Sequence, residues 1–473
     1  LKNNRNRKTE KAGNGPGKRP RKVIIMGAAG RDFHNFLVFF RNNPDYRVVA
    51  FTASQIPGIA RRSFPKSLAG RLYRSDIPIY PEAKLAELIK KHCADEVVFA
   101  YSDVNNEYIM ERAACVTAAG ADFRLMGPET TMLQANKPVI SICAVRTGAG
   151  KSPTTRKTAE TLMEFGLRVA VVRHPMPYGN LEEQSAQRFA CIDDLKRHKC
   201  TIEEIEEYEN HINSGTIVYA GVDYERILRM AEREADIIIW DGGNNDFPFY
   251  RPDLRIVVAD ARRPGHEIEY YHGNVNIRMA DLVIINKVKT AEKRDIETVK
   301  RNIEKLNPGA IIMRANMTKT ADRPELIRGK RVLVIEDGPT LTHGGLEIGA
   351  GYLAAKKYGA KSIIDPRPFA VGSIKETFRR YPHLSRILPA MGYGTRQMKE
   401  LEKTINRAQC DSVIIGTPVS LGRYLRIRKP SANVTYDIHT IGKPGLKEVV
   451  RKFAESRNKR KPKIMQAGIR KGR

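Results

Sequence analysis

At 473 residues, 41% of them apolar and 29% charged, the chain has material for at least one large core and room for two or three domains. No apolar run approaches the ~20 residues of a membrane span and no secretory leader is recognisable, so a cytoplasmic protein is expected rather than a membrane one. The formal charge is +29, but residues 1–22 hold nine Lys/Arg against Glu10 alone and residues 456–473 hold eight without an acid; each end carries +8, which leaves +13 on the body.

The two ends, residues 1–21 and 456–473, lack apolar side chains to bury and read as disordered basic tails capable of weak, salt-dependent contact with nucleic acid. No interleaved aromatics or RNA-binding signature accompany them. The six cysteines (93, 115, 143, 191, 200 and 410) include no C-x-x-C pair, which fits reduced thiols and not a zinc site.

From residue 22, short β-rich runs alternate with helical stretches. "KVIIMGAAG" is a strand ending in a glycine turn, "DFHNFLVFFRNN" a helix, "RVVAFTAS" a strand, "AKLAELIKKHC" a helix, "ADEVVFAYSD" a strand, "NEYIMERAACVTAAG" a helix and "ADFRLMGP" a strand. This alternation predicts a Rossmann-like parallel-sheet domain over residues 22–138. The turn at Gly27 and Gly30 is not the dinucleotide fingerprint, but Asp32, His34 and Asn35 cluster just beyond it, at an edge where open α/β sheets bind ligands.

A second block, residues 139–330, opens on "ICAVRTGAGKSPTTRK". Gly148, Ala149, Gly150, Lys151 and Ser152 lie between a buried strand and a helix, as a phosphate-binding loop requires. In such a loop backbone N–H groups face anionic oxygens, the lysine neutralises the terminal phosphates and the serine hydroxyl reaches Mg²⁺. Val145 stands where the pattern has its first glycine, which works only if that turn needs no positive φ. "IIIWDGG" puts Asp241 at a strand end, a place from which a carboxylate holds Mg²⁺ through water. "VIINKVK" resembles the base-reading N-K-x-D of GTPases, with Asn286 and Lys287 expected beside the base. Its fourth position is Lys289, a donor facing guanine's donors, which favours ATP over GTP.

Three polar strand exits are candidate substrate contacts. "VVRHPMPYGN" offers Arg173, His174, Tyr178 and Asn180; "GGNNDFPFY" offers Asn244, Asn245 and Asp246; "DARRPGHE" offers Asp260, Arg262, Arg263 and His266. Together they make an Arg/His/Asn edge suited to a small phosphorylated or carboxylated ligand. A third block, residues 331–455, alternates again. Its "EDGPTLTHGG" carries Glu336, Asp337, Thr340, Thr342 and His343, which either close the pocket from above or form a solvated loop. The expected fold class is α/β: an N-terminal Rossmann-like parallel sheet, a P-loop NTPase domain and a C-terminal α/β extension whose strands can continue the P-loop sheet.

In their order, "GAAGRDFHNF", "AVRTGAGKS", "VVRHPMPYG", "WDGGNNDFPF", "DARRPGHE" and "INKVKT" resemble the archaeal P-loop NTPase family of cyclic 2,3-diphosphoglycerate synthetases. The resemblance implies an ATP- and Mg²⁺-dependent ligase, dimeric, that activates one substrate phosphate and closes the other onto it. It further implies Lys151, Asp241, Arg173, His174 and Arg263 as catalytic groups, Mg²⁺ on Ser152 and Asp241, and the anionic substrate held by Arg173, His174, Tyr178, Asn244, Asn245, Arg262, Arg263 and His266. The alternative is a regulatory, metal-delivery or RNA-associated NTPase on the same fold.

Overall fold

A computed structural model describes residues 19–458 apart from 29, 54–61, 175–178, 244–245, 339–340, 342–346, 385, 392–394 and 418. The fold is α/β throughout. Among the described residues no helix is long and apolar enough to cross a membrane.

Residues 21–125 build a six-stranded sheet around Arg21–Met26, whose last four residues are buried. Its strands run parallel except the short Ser63–Phe64 at one edge, which pairs antiparallel with Ile77–Pro81. One face is sealed by an aromatic cluster of Phe33, Phe36, Phe51 and Phe64, with ring centroids 4.8–5.8 Å apart. The helix after the glycine turn, Arg31–Asn35, is buried along its whole length and continues as a π-helical turn, Phe36–Phe40.

The rest of the chain builds a second sheet of 13 strands. Val139–Ala144 lies at the centre of its parallel part, between Leu254–Asp260 and Ile237–Asp241. Outward from these lie Leu282–Asn286 on one side and Val169–Arg173 with Ile217–Ala220 on the other. Because side chains alternate across a strand, Val139 and Cys143 enter one core and Ile140 and Ile142 the other. Both faces are therefore apolar, and the strand can only sit between two helical layers.

Two eleven-residue strands splice the third block onto this sheet. The start of Ile311–Ala321 pairs parallel with Leu282–Asn286, and the stretch from Arg314 onward pairs antiparallel with Ser431–Ile441. The start of Ser431–Ile441 in turn pairs parallel with Ser412–Ile415, beside Arg331–Asp337. Blocks two and three thus share one continuous sheet. Its two parallel sets run in opposite directions, and loops after strands of both sets line one cavity, described below.

Of the polar residues after Gly30, Arg31 and His34 pack into the seam between the two sheets. Arg31 forms a buried ion pair with Asp246 and lies over the rings of Phe247 and Phe249. His34 stacks on Phe249 at 3.9 Å between ring centroids, and its Nε2 lies 2.8 Å from the Thr131 carbonyl. Burial lowers the His34 pKa to about 3, so the ring is neutral and part of the seam between the two sheets.

Candidate active site

The loop from Val145 to Gly150 carries the chain from the central strand into helix Lys151–Glu164. Gly148 and Gly150 have φ of 81° and 115°, the left-handed region that glycine alone enters at little cost. Val145 is not among the residues with positive φ; its N–H donates to the Val258 carbonyl at 2.9 Å and prolongs the strand. That is why a valine is accepted there.

Neighbouring strand ends brace the loop. Asn286 Nδ2 donates to the Ala149 carbonyl at 2.8 Å, and Lys287 Nζ donates to the Gly148 carbonyl at 2.7 Å and to Asp260 at 2.6 Å. Arg263 donates to the Thr147 carbonyl at 2.8 Å and to Asp260 at 3.0 Å. Asn286 is fully buried and holds the loop, and Arg263 bridges the loop and Asp260; neither lines the cavity. Lys287 also reaches the cavity wall, whereas Lys289 is exposed and lies away from it.

Asp241 ends its strand fully buried. It accepts from Lys151 Nζ at 2.5 Å and from Arg173 Nη1, and His211 Nε2 lies 3.4 Å from Oδ2. Burial alone would raise its pKa; Arg173 and then Lys151 reverse this and hold the carboxyl well below the ordinary range. The reciprocal effect falls on Lys151, where burial and then Arg173 lower the ammonium pKa to about 8. Both Asp241 oxygens are therefore matched by cations of the protein. Arg173 pairs with Glu207 as well as Asp241 and also lines the cavity.

Glu207 and His211 come from helix Ile202–Asn213, which Thr201 and Glu204 start with a reciprocal capping box. Both lie in a Glu-rich stretch, "TIEEIEEYENHINSG", which carries no motif. The four-residue spacing that puts them on one face was the available signal.

His174 packs at the seam, not in the cavity. Its Nε2 lies 3.6 Å from Asp246, which also pairs with Arg31 and lies 3.9 Å from His272. A Cβ on Gly30 would come within 2.2 Å of the His174 ring, so glycine there is a packing requirement. His266 is half-buried against Tyr270, with its pKa lowered to about 4 chiefly by burial, and does not line the cavity. Arg262 is exposed on the cavity wall. Tyr178, Asn244, Asn245, Thr340, Thr342 and His343 lie outside the described residues.

The cavity itself measures about 230 Å³. Gly148, Gly150, Lys151 and Ser152 form one wall, and Glu336, Asp337 and Gly349 belong to the opposite block. Glu336 is fully buried beneath the start of helix Ala350–Lys357 and accepts from the Tyr352 N–H at 2.7 Å. Burial raises its pKa to about 7. A Cβ on Gly349 or Gly416 would stand 2.4 Å from Glu336 Oε2, so these glycines make room for the carboxyl. Asn316, Met317 and Tyr436 complete the wall from the two splice strands, which carry no motif from which a site could be read.

The family model for the P-loop domain of cyclic 2,3-diphosphoglycerate synthetase matches residues 214–316. Arginine synthetase ArcE of Thermococcus kodakarensis is 60% identical over 444 residues, 94% of this chain and 99% of that protein. The chain belongs to the family of that arginine synthetase. Cyclic 2,3-diphosphoglycerate synthetases are more distant members of the same group. That of Thermococcus sibiricus is 26% identical across 58% of this chain and 64% of its own length, and that of Methanothermus fervidus 26% across 40% and 41%. Among solved structures, the "apo" form of LpxK from Aquifex aeolicus in complex with ATP aligns at a TM-score of 0.40 and 11% identity, over 78% of this chain and 99% of that one. With its loop, its strand order and its synthetase relatives, the chain is a P-loop synthetase. The resemblance read from the motifs was to the right family group, reached through its distant branch.

Proposed function

We propose that the chain is an ATP-dependent synthetase that forms arginine. The observation that carries this reading is the similarity to an arginine synthetase across nearly the whole of both chains, with the matching of charge around the P-loop in accord. The cations expected to clamp a polyphosphorylated substrate are matched inside the protein: Arg173 by Asp241 and Glu207, Arg263 and Lys287 by Asp260. Beyond the loop the cavity wall carries Glu207, Glu336 and Asp337 together with Arg146, Arg262 and Lys319. The carboxylates offer partners to a guanidinium or ammonium group, and the cations to carboxylate and phosphate. The 60% identity to an arginine synthetase across nearly its whole length supports the same product.

The chemistry follows from what arginine requires. A guanidinium differs from a ureido group by one nitrogen in place of oxygen, and that oxygen is a poor leaving group. Transfer of the ATP γ-phosphoryl group to the ureido oxygen makes it a phosphate ester, which ammonia displaces. Lys151 and the N–H groups of the Gly148–Ser152 turn face the transferred phosphoryl group and stabilise its charge, a contribution of positioning and electrostatics. Lys151, on the cavity wall, is held by Asp241, with Arg173 beside it. The Ser152 hydroxyl, in the first helical turn on the same wall, is a hard oxygen donor that fits Mg²⁺, which when bound neutralises phosphate charge.

The test is incubation of the purified chain with ATP, Mg²⁺, ammonium and citrulline, the δ-ureido amino acid of arginine's length, following arginine and ADP together. A parallel incubation with ATP, Mg²⁺ and 2,3-diphosphoglycerate is read by ³¹P NMR. Arginine in the first and no cyclic anhydride in the second is the expected result. The reverse outcome would return the chain to the cyclising chemistry of its distant relatives.

A further inference from the structure

Six cations line the nucleotide cavity, and the chain itself matches four of them. Lys151 pairs with Asp241 at 2.5 Å, Arg173 with Asp241 and Glu207, Lys287 with Asp260 at 2.6 Å, and Arg146 with Asp103 at 3.7 Å. The other two are Arg262, which is exposed, and Lys319, which is half-buried. Among the described residues neither of these side chains forms an ion pair or a hydrogen bond. Carboxylates of the same wall are engaged elsewhere: Glu207 by Arg173, and Glu336 by the Tyr352 N–H at 2.7 Å.

Both cations stand on fixed backbone. Arg262 follows strand Leu254–Asp260, and its N–H donates to Asp260 Oδ1 at 3.0 Å, so the exit turn is held by the carboxylate that also takes Lys287 and Arg263. Lys319 lies on the splice strand Ile311–Ala321, opposite Tyr436, and its carbonyl accepts from Lys357 Nζ at 2.8 Å. Met317, two residues earlier and so on the same face of that strand, has its sulfur 3.7 Å from where a Cβ on Gly150 would stand. Lys319 therefore begins two residues, or about 7 Å, along the strand from a side chain that touches the phosphate loop. Burial and then the neighbouring Arg262 charge lower the Lys319 pKa, with Glu336 acting the other way. Two like charges brought to one wall without a counter-charge call for an anion.

We infer that Arg262 and Lys319 form the subsite that takes the carboxylate of the amino-acid substrate. The inference rests on the arginine-forming reading above. Two kinds of anion enter such a cavity, the phosphates of the nucleotide and the carboxylate of the amino acid. The phosphates have Lys151 and the N–H groups of the loop. The ureido oxygen has to meet the γ-phosphoryl group at that loop, so the carboxylate, at the other end of a chain of methylenes, lies away from it, on the side where Lys319 stands. Arg262 offers the planar fork that matches a carboxylate, and Lys319 a point charge beside it. A site built around such a group rejects the analogue that lacks it, because its own charges are then left without a partner.

The test compares two ureas on the full chain with ATP, Mg²⁺ and ammonium: citrulline, and (4-aminobutyl)urea, which is citrulline without its carboxylate. Loss of one charge-assisted hydrogen bond costs ~10- to 100-fold. Arg262→Gln and Lys319→Gln should each raise KM for citrulline by that factor, with KM for ATP within about twofold of wild type. Both variants should leave kcat/KM for (4-aminobutyl)urea near the wild-type value, and Lys319→Arg, which keeps the charge, should recover most of the loss on citrulline. Equal losses on the two ureas would overturn the assignment, and a rise in KM for ATP in place of citrulline would give the pair to the nucleotide's phosphates. A binding arm needs no turnover: crystals of the chain holding ADP and Mg²⁺, soaked in selenate, should show an anomalous peak between Arg262 and Lys319 that Arg262→Gln loses. Wild type that makes no arginine but holds selenate there refutes the arginine reading and leaves the anion subsite standing. Arginine formation with the citrulline KM unchanged in both glutamine variants refutes the subsite and leaves the reading.

Discussion

Replacing Asn286 with alanine separates two roles that its motif cannot distinguish. In an N-K-x-D reading the asparagine sits beside the base, and its loss should alter the choice between ATP and GTP. Here the side chain is fully buried, donates to the Ala149 carbonyl at 2.8 Å and accepts from the Lys287 N–H at 2.8 Å. Ala149 is itself buried, so Asn286→Ala leaves its carbonyl without that donor. A buried polar group stripped of its partner costs about 1–3 kcal/mol. The penalty falls on the ordered loop that any polyphosphate must engage, which corresponds to roughly 5- to 150-fold weaker binding at about 1.4 kcal/mol per factor of ten. Calorimetric titrations with ATP, GTP and inorganic tripolyphosphate should show the same loss for all three ligands, with the melting temperature followed as a control for folding. A shift of more than about tenfold in the ATP/GTP ratio, with tripolyphosphate binding unchanged, would refute the reasoning and restore Asn286 as a base reader.

Nucleotide affinity should fall as pH rises through about 8, where Lys151 loses the proton that triphosphate binding requires, and Lys151→Met should bind more weakly with a flat profile; pH-dependent titration checks both. Glu336 titrates near 7 in the fold against an ordinary 4.5, so between these values the folded state holds a proton that the unfolded chain has released, and stability declines as pH rises. Glu336→Gln removes that slope, and its melting temperature should gain on wild type from pH 5 to 8; a constant difference would contradict it. Arg31→Met leaves Asp246 buried without its guanidinium and should cost about 3–5 kcal/mol in urea unfolding of the seam, whereas a loss below about 1 kcal/mol would mean that His174 and His272 compensate.

What the sequence made legible was whatever one segment specifies alone. The apolar strands, the glycines at 148 and 150, the helix after them and the alternation of elements all follow from local periodicity and backbone sterics, and the structure has them where they were read. The splice of blocks two and three was open to view only as a possibility, because pairing Arg314–Ala321 with Val434–Ile441 joins residues more than a hundred positions apart. The cavity wall from Asn316, Met317 and Tyr436 depends on that splice and so could not be read at all. Glu207 and His211 were accessible in principle from their spacing, but nothing in a Glu-rich helix says which turn faces a strand end.

The pairing of the cations has a more particular cause. Val169–Arg173 and Ile237–Asp241 are adjacent parallel strands in a register that sets Arg173 directly beside Asp241, and Leu254–Asp260 and Leu282–Asn286 set Asp260 beside Asn286, with Lys287 following. Each strand-end motif, taken separately, ends in a charge that looks available to a ligand. Laid side by side in the sheet, those charges cancel at distances of about 2.5–3.0 Å. The rest of the cavity wall is mixed in charge: Glu207 from helix Ile202–Asn213 and Glu336 and Asp337 from the opposed set of strands stand with Arg146, Arg262 and Lys319. Which charges face the cavity and which are matched beside it follows from the register of the sheet and not from the body charge of +13.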